Sequence, residues 1–249
     1  MAIKRRPLTP EQEIARRSRR SFMVLGAGAV AAVAGWEWLK PDLDDDDIKA
    51  PLRSVLNLNE KVVRSAIYSN NHLAPTFPVS AIGNLKVNGD VGLDETDPNF
   101  DHIDVTPLGG SAKPVALADI RTLPRIEEVI EFKCVEGWST VTQFAGARFA
   151  DFTARFAPDS TRSGHVAMKT PDGEYYVGID MPSAMHPQTL LAWEMNRQPL
   201  SPDHGAPLRL VIPVKYGLKN IKRIASVEYT NTRPADYWVE RGYDYYVGL

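Results

Sequence analysis

Cysteine is scarce in this sequence, because its 249 residues contain only Cys134. A single cysteine cannot form an intramolecular disulfide, so disulfide stapling of the fold is excluded. The sequence also lacks the Gly-x-Gly-x-x-Gly, P-loop and Gly-x-Ser-x-Gly patterns, which argues against the common nucleotide-binding and serine-hydrolase sites. The five histidines do not show zinc-ligand spacing, and there is no Cys-x-x-Cys-His for haem attachment.

Positive charge is scarce beyond the N-terminus. Residues 1–21 carry seven Lys or Arg and two acids, whereas residues 22–249 carry 22 bases and 29 acids. An acidic body argues against nucleic acid as a partner, because binding of a phosphate backbone needs a basic surface.

The N-terminal residues have the pattern of an export signal. Arg19 and Arg20 precede Ser-Phe-Met, and an apolar run of small residues ends in Ala-Val-Ala at 32–34. The paired arginines resemble a twin-arginine signal, which a receptor reads. The 13 apolar residues 22–34 are fewer than the roughly 20 that span a bilayer. We therefore expect export to the periplasm through residues 1–39, with retention as an anchor as the alternative, and an acidic linker over 40–56.

The remainder, 57–249, is expected to form one domain, and its short alternating or apolar segments with 19 prolines and 17 glycines favour a β-rich α+β fold. Strands are predicted at 84–89, 102–105, 125–134, 165–169, 175–179, 209–212 and 224–230. Helices are predicted at 59–67, 115–123, 150–156 and, after Pro187, 189–195.

Cys134 falls at the end of a predicted strand, on the same face as Ile130 and Phe132. A cysteine in such a position can be a small buried hydrophobe, a nucleophile or a soft metal ligand. No histidine pattern selects a base for a nucleophile, so spacing alone leaves these alternatives open.

Three segments resemble motifs of the sulfite oxidase family of molybdenum enzymes, in the family's order. Residues 132–139, Phe-Lys-Cys-Val-Glu-Gly-Trp-Ser, resemble the signature around the metal-binding cysteine. Residues 184–222 are similar to the molybdopterin-binding stretch through most of their length, and residues 68–75 resemble an Arg-Asn-His motif. The resemblance covers roughly residues 65–240, and it implies a sulfite-oxidase-type molybdopterin-binding domain.

The resemblance implies a molybdenum–molybdopterin cofactor with Cys134 as the metal ligand, which suits a metal that accepts soft sulfur. It implies that Tyr175 is an active-site tyrosine, with Tyr176 as the alternative one residue away. Phosphate needs cations, which Arg and Lys supply. The family's pattern puts the cofactor contacts at Asn70, Asn71, His72, Thr170, His204, Arg209, Asn220, Ile221 and Lys222.

Two departures from the pattern bear on the substrate. Asn70 stands where the Arg-Asn-His motif has arginine, and Ser139 stands where sulfite-oxidising members have a basic stretch. Loss of fixed positive charge should weaken binding of a dianion. The cysteine segment is similar to the bacterial exported branch that includes a periplasmic protein-methionine-sulfoxide reductase. We therefore expect two-electron oxygen-atom transfer on a small sulfur- or nitrogen-centred substrate, with sulfoxide reduction favoured over sulfite oxidation.

Alternatives of another class are a non-catalytic pterin-binding accessory module and an exported binding protein without a cofactor. Because the sequence has no haem motif, electrons should pass through a separate redox partner, either a membrane haem protein or a soluble cytochrome. The substrate could be a small molecule or a protein sulfoxide. The dimerisation domain of longer family members is not evident, so a monomeric catalytic subunit is expected.

Overall fold

The computed structural model describes residues 23, 26, 28, 30–36, 50–66, 69, 71–93 and 100–249. The chain divides into two compact units, Met1–Leu52 and Arg53–Leu249. In the first unit residues 30–36 are helical, whereas Arg19, Arg20 and the acidic residues 44–47 lie outside the described residues. In the described part of the chain, no helix has the length and apolarity needed to cross a membrane.

The helices are short apart from the first. Helix α1 spans Ala50–Ala66, so it begins within the predicted linker and well before Asn59, where a start was expected. The others are α2 at Leu117–Ile120, α3 at Phe149–Phe156, α4 at Met181–Ala184 and α5 at Tyr237–Glu240. In the part of the chain that the structure describes, 3₁₀ turns occur at Val79–Ala81, Pro158–Ser160, Pro202–His204 and Gly217–Lys219.

Within the described residues, ten strands form two five-stranded sheets. They are β1 His102–Thr106, β2 Lys113–Ala116, β3 Arg125–Lys133, β4 Ser139–Arg148, β5 His165–Lys169, β6 Tyr176–Asp180, β7 Leu190–Met195, β8 Gln198–Pro199, β9 Arg209–Val211 and β10 Ser226–Thr230. The first sheet has the order β2-β1-β10-β5-β6, in which only β1 and β10 are parallel. The second has the order β3-β4-β7-β8, with β9 also paired to β7, and is antiparallel throughout.

Apolar side chains cover the second sheet on both faces. The larger hydrophobic cluster joins it to the first sheet and to α3, and includes Leu191, Leu210, Met168 and Phe149. A smaller cluster on its other face includes Leu190 and Phe144. Because the neighbours Leu190 and Leu191 are each at most 1% exposed, β7 is buried on both sides.

The β-rich α+β class is confirmed, but two predicted elements are wrong. The helix predicted at 189–195 is instead strand β7, Leu190–Met195, because an apolar segment that is buried on both faces lacks the two-residue alternation that distinguishes a strand. Residues 84–89 form no strand, and Leu85 and Val87 are 45% and 58% exposed. Helix formation within 115–123 is confined to α2, since Lys113–Ala116 pairs with β1.

Candidate active site

A cleft at one end of the second sheet is lined by residues between Lys86 and Tyr243, all in the second unit. The end of the β3–β4 hairpin forms one wall, and the chain between His204 and Lys222 forms another. Tyr175, next to β6, and residues of the C-terminal segment close it. The lining includes Lys86, Asn88, Phe132, Cys134, Glu136, Trp138, Thr142, Phe144, Tyr175, Met195, His204, Arg209, Leu218, Asn220, Lys222, Trp238 and Tyr243.

Cys134 is the first residue of the turn that joins β3 to β4. Its N–H donates to the oxygen of Trp138 at 2.9 Å, and its oxygen accepts from Gly137 N at 3.1 Å. Gly137 has φ +86°, a conformation that glycine adopts without strain. The thiol is half-buried, and Asn88 Nδ2 donates to Sγ at 3.9 Å. The hairpin thus presents a single sulfur ligand to the cleft.

Tyr175 lies in the same cleft, immediately before β6. Its hydroxyl donates to the oxygen of Leu218 at 2.6 Å and accepts from Trp238 Nε1 at 3.0 Å. Burial, followed by the charge of Asp236, raises the pKa of Tyr175 above its ordinary value, so the phenol is neutral at physiological pH. The hydroxyl of Tyr176 instead donates to Glu240, outside the cleft lining. The structure therefore places Tyr175, and not the alternative Tyr176, beside Cys134.

Arg209 brings a buried positive charge to the cleft. Its side chain is fixed by Nη1, which donates to His204 O at 3.0 Å, and the guanidinium lies over the rings of Phe132 and Phe144 at 5.6 and 5.3 Å. Nη2 donates to Asn220 O at 3.5 Å. Among the described residues, the buried Nε atom has no hydrogen-bond partner and no carboxylate pairs with the guanidinium. Burial lowers the pKa of Arg209 to about 10.

Lys222 adds a second positive charge. Its ammonium donates to the main-chain oxygens of Asn88, Gly89 and Asp203 at 2.9, 2.8 and 2.7 Å. Burial, with a further contribution from Arg209, lowers the pKa of Lys222 to about 8. Gly205, at φ +97°, lets the adjacent turn lie against Lys222, where a Cβ would meet the lysine Cβ at 2.8 Å.

His204 and Asn220 complete the part of the predicted cofactor set that lines the cleft. Burial, Arg209 and Lys222 lower the pKa of His204, so the imidazole is neutral at pH 7. The Asn220 side chain is already engaged, since Oδ1 accepts from Ile212 N at 2.6 Å and Nδ2 donates to Tyr216 O at 3.0 Å.

Four predicted cofactor residues are placed elsewhere, and a fifth, Asn70, lies outside the described residues. Asn71 and His72 are exposed and do not line the cleft. Thr170 is buried in the turn between β5 and β6, where its hydroxyl donates to Asp172 Oδ1 at 2.6 Å. The side chain of Ile221 is fully buried in the larger hydrophobic cluster. Only the main chain of Ile221 could therefore contact a cofactor.

Trp238 is the main functional candidate that the sequence reasoning missed. It lies on α5, and its indole contacts Tyr175 across 63 residues of chain. No local pattern marks such a contact. The aromatic residues at 237, 238, 243, 245 and 246 were the available signal, since tyrosine and tryptophan bury apolar surface around a polar partner.

The chemistry of the lining fits an anionic, sulfur-donating metal cofactor. In the described residues there is no cluster of three or more His, Cys, Asp or Glu that could hold a metal. A metal next to Cys134 would therefore need its remaining ligands from a cofactor. The unpartnered Nε of buried Arg209 calls for an acceptor with negative charge, which a phosphate supplies. The residues present thus fit molybdenum–molybdopterin.

Comparison with known proteins also indicates a molybdopterin-binding protein. Residues 92–238 match the family described as the oxidoreductase molybdopterin binding domain. The protein-methionine-sulfoxide reductase catalytic subunit MsrP of Campylobacter jejuni is 31% identical, over 93% of this chain and 78% of its own. The subunit of the same name from Xanthomonas campestris pv. campestris is 29% identical, over 92% and 76%.

A solved structure resembles the fold. The sulfane dehydrogenase SoxCD from Paracoccus pantotrophus superposes with a TM-score of 0.50 at 16% identity. The match covers 57% of this chain and 41% of that chain, and at this identity it bears on the fold alone. The match supports the sulfite-oxidase-type fold expected for the two-sheet domain.

Proposed function

Because the chain belongs to the oxidoreductase molybdopterin binding domain family, we propose that it is the catalytic subunit of an exported sulfoxide reductase. It is an enzyme, and its cofactor is molybdenum bound to molybdopterin. One observation carries the proposal: Cys134 and the buried Arg209, whose Nε has no hydrogen-bond partner among the described residues, line one cleft in a chain similar to methionine-sulfoxide reductase catalytic subunits.

Different residues of the cleft would bind different parts of the cofactor. When bound, the cofactor supplies two-electron oxygen-atom transfer. The thiolate of Cys134 would hold the metal. Arg209 would donate charge-assisted hydrogen bonds to anionic groups of the cofactor from N–H groups that have no partner among the described residues, such as Nε. Lys222, from the same stretch of chain as Arg209, would add a point charge.

The substrate proposed is the sulfoxide of a methionine side chain, as in the names of the relatives. Reduction consumes two electrons and two protons and yields a thioether and water. A neutral sulfoxide needs no added positive charge, and the cleft offers Trp138, Trp238 and Met195 as apolar surface. Ser139, at one of the two departures, donates to Glu131 at 2.7 Å and does not line the cleft.

The direction and substrate are tested by turnover of the purified holoenzyme. Protein-bound or free methionine sulfoxide is supplied with reduced viologen, and sulfite is supplied separately with an artificial electron acceptor. We expect sulfoxide-dependent oxidation of viologen with kcat/KM at least tenfold above that for sulfite oxidation. Turnover of sulfite alone would replace the proposal by sulfite oxidation, and no turnover of either would favour a non-catalytic pterin-binding module.

A separate redox partner is proposed as the electron donor, since the relatives are named as catalytic subunits. The chain has no haem-attachment motif, so a membrane haem protein or a soluble cytochrome would deliver electrons singly. Reduction of the holoenzyme by a candidate haem protein, followed at the haem Soret band, tests this step. The catalytic subunit itself is proposed to be monomeric.

Export through the twin-arginine route to the periplasm is proposed from the N-terminal pattern of Arg19 and Arg20 before an apolar run. Changing both arginines to lysine should leave active enzyme in the cytoplasm, because the receptor reads the paired arginines. Fractionation of cells followed by activity staining measures this. Unchanged periplasmic activity in the double variant would reject the route.

A further inference from the structure

The hydroxyl of Tyr175 has both its proton and one acceptor position in use. The proton is directed to Leu218 O, 2.6 Å away in the 3₁₀ turn Gly217–Lys219, and Trp238 Nε1 donates to the oxygen from 3.0 Å. An indole nitrogen can only donate and a main-chain oxygen can only accept, so these two partners fix the direction of the phenolic proton. The hydroxyl thus has one acceptor position left.

Trp238 is itself held rigidly. The side chain of Asp236 caps α5, where Oδ1 accepts from the main-chain nitrogens of Trp238 and Val239 at 3.1 Å each. The other carboxylate oxygen accepts from Lys219 Nζ at 2.5 Å and from Gly178 N at 3.0 Å. Lys219 and Asp236 are 1% and 2% exposed, so this buried ion pair ties α5 to the 3₁₀ turn Gly217–Lys219, and the hydrogen bond from Gly178 ties α5 to β6.

Aromatic contacts fix the indole ring as well as its backbone. The rings of Trp238 and Tyr243 meet edge to face with centroids 5.2 Å apart, and Tyr237 contacts both Trp238 and Tyr175 at the same centroid distance. Edge-to-face pairs of this kind are favourable and directional. These contacts therefore restrict rotation of the indole ring and keep its N–H directed at the phenol oxygen.

We propose that Trp238 is a positioning residue, whose indole N–H fixes the Tyr175 hydroxyl with its proton on Leu218 and its free acceptor position towards the cleft. In this arrangement Tyr175 accepts a hydrogen bond from water or from a protonated substrate group, and does not donate one to the sulfoxide oxygen. The catalytic consequence rests on the proposed function, because it assigns Trp238 a part in the same reaction. The hydrogen bond itself does not depend on turnover.

The hydrogen bond is tested by nuclear magnetic resonance of the full-length protein with ¹⁵N-labelled tryptophan. The sequence has five tryptophans, and the Trp238 indole signal is the one lost in Trp238→Phe or Trp238→Tyr. Tyr175→Phe should shift that signal upfield in ¹H and increase its exchange with solvent. Tyr176→Phe is the matched control, since its ring contacts Tyr237 on α5 but its hydroxyl does not contact the indole. An unchanged signal in Tyr175→Phe would overturn the proposal.

The positioning role is tested by a double-mutant cycle in the holoenzyme. Trp238→Phe should lower kcat about two- to tenfold with little change in KM, since a net hydrogen bond is lost. In the Tyr175→Phe background the same change should cost less than about twofold, because the phenol to be positioned is absent. Equal losses in both backgrounds would show a merely structural tryptophan. If the wild type turns over neither sulfoxide nor sulfite, the proposed function fails while the indole measurement still decides the hydrogen bond.

Discussion

Nη1 of Arg209 donates to the main-chain oxygen of His204 at 3.0 Å, while Nε of the same guanidinium is buried without a hydrogen-bond partner among the described residues. The two residues belong to the 3₁₀ turn Pro202–His204 and to β9, which are joined by four residues. Nη2 donates to Asn220 O at 3.5 Å, so two main-chain oxygens fix the guanidinium and its positive charge has no anionic partner in the described part of the chain. A buried cation in this state raises the free energy of the folded protein unless an anion pairs with it.

Replacing Arg209 with methionine separates stability from cofactor binding. We expect the cofactor-free variant to be at least as stable as the wild type, because the unpaired buried charge is removed while the volume is kept. Cofactor affinity should fall about 10- to 150-fold through loss of charge-assisted hydrogen bonds. Melting temperature of the cofactor-free forms and metal content after dialysis measure the two effects. Full retention of molybdenum by Arg209→Met would contradict the assigned role.

The depressed pKa of Lys222, about 8, predicts that cofactor retention depends on pH. The ammonium is charged below pH 8 and loses its proton above it, so attraction for an anionic cofactor weakens as pH rises. In the cofactor-free protein, a rise in pH has the opposite effect on folding stability. Stability increases between about pH 8 and 10.5, where the unfolded chain still binds the proton.

The measurement is molybdenum retained after dialysis at pH 7 to 9.5, in the wild type and in Lys222→Arg. Arginine keeps its charge across this range, so the variant should retain metal at pH values where the wild type loses it. Identical loss curves for both proteins would exclude Lys222 as the titrating group.

The two adjacent tyrosines should differ sharply in their effect on turnover. Tyr175→Phe removes a hydroxyl in the cleft and should lower kcat by about tenfold or more, as loss of an orienting hydrogen bond does. Tyr176→Phe removes the hydroxyl contacts with exposed Glu240 and with Arg241, outside the cleft lining, and should leave kcat within about twofold. Steady-state kinetics on both variants decides the assignment. A larger loss in Tyr176→Phe would reverse it.

Gly146 in β4 is required by close backbone packing against β7. A Cβ at this position would lie 1.9 Å from Leu191 O and 2.6 Å from Ala192 Cα, and neither neighbour is the tip of a flexible side chain. Gly146→Ala should lower the free energy of unfolding by about 2–4 kcal/mol. Gly164→Ala is the control, since its nearest contact is 3.4 Å from the added Cβ. Urea unfolding measures both, and equal stabilities of the two variants would contradict this packing.

The sequence was sufficient to predict a secondary-structure element where the segment has one buried face. The predicted strand at 165–169 matches β5, whose exposure alternates along the chain, and the predicted helix at 150–156 matches α3. It was insufficient for β4, which was missed, and for β7. Both lie inside the second sheet, so burial on two faces replaces alternation by the runs Phe-Ala-Gly-Ala and Leu-Leu-Ala-Trp.

Motif resemblance located the part of the site that is local in sequence. Cys134, His204, Arg209 and Lys222 lie within two segments of the chain, and the structure brings them into one cleft with Tyr175. Trp238 acts through a contact with Tyr175 that spans 63 residues. Such a contact follows from how α5 packs, and no spacing rule encodes tertiary packing.

The central claim is that Cys134 binds molybdenum in a cleft whose cations hold the pterin, and metal content tests it most directly. Wild type and Cys134→Ala are expressed with the signal in a molybdopterin-competent host, and molybdenum and pterin per chain are measured in folded protein. We expect about one molybdenum atom per wild-type chain, together with loss of turnover and partial retention of pterin in Cys134→Ala. Well-folded wild-type protein without molybdenum, or undiminished turnover in Cys134→Ala, would contradict it.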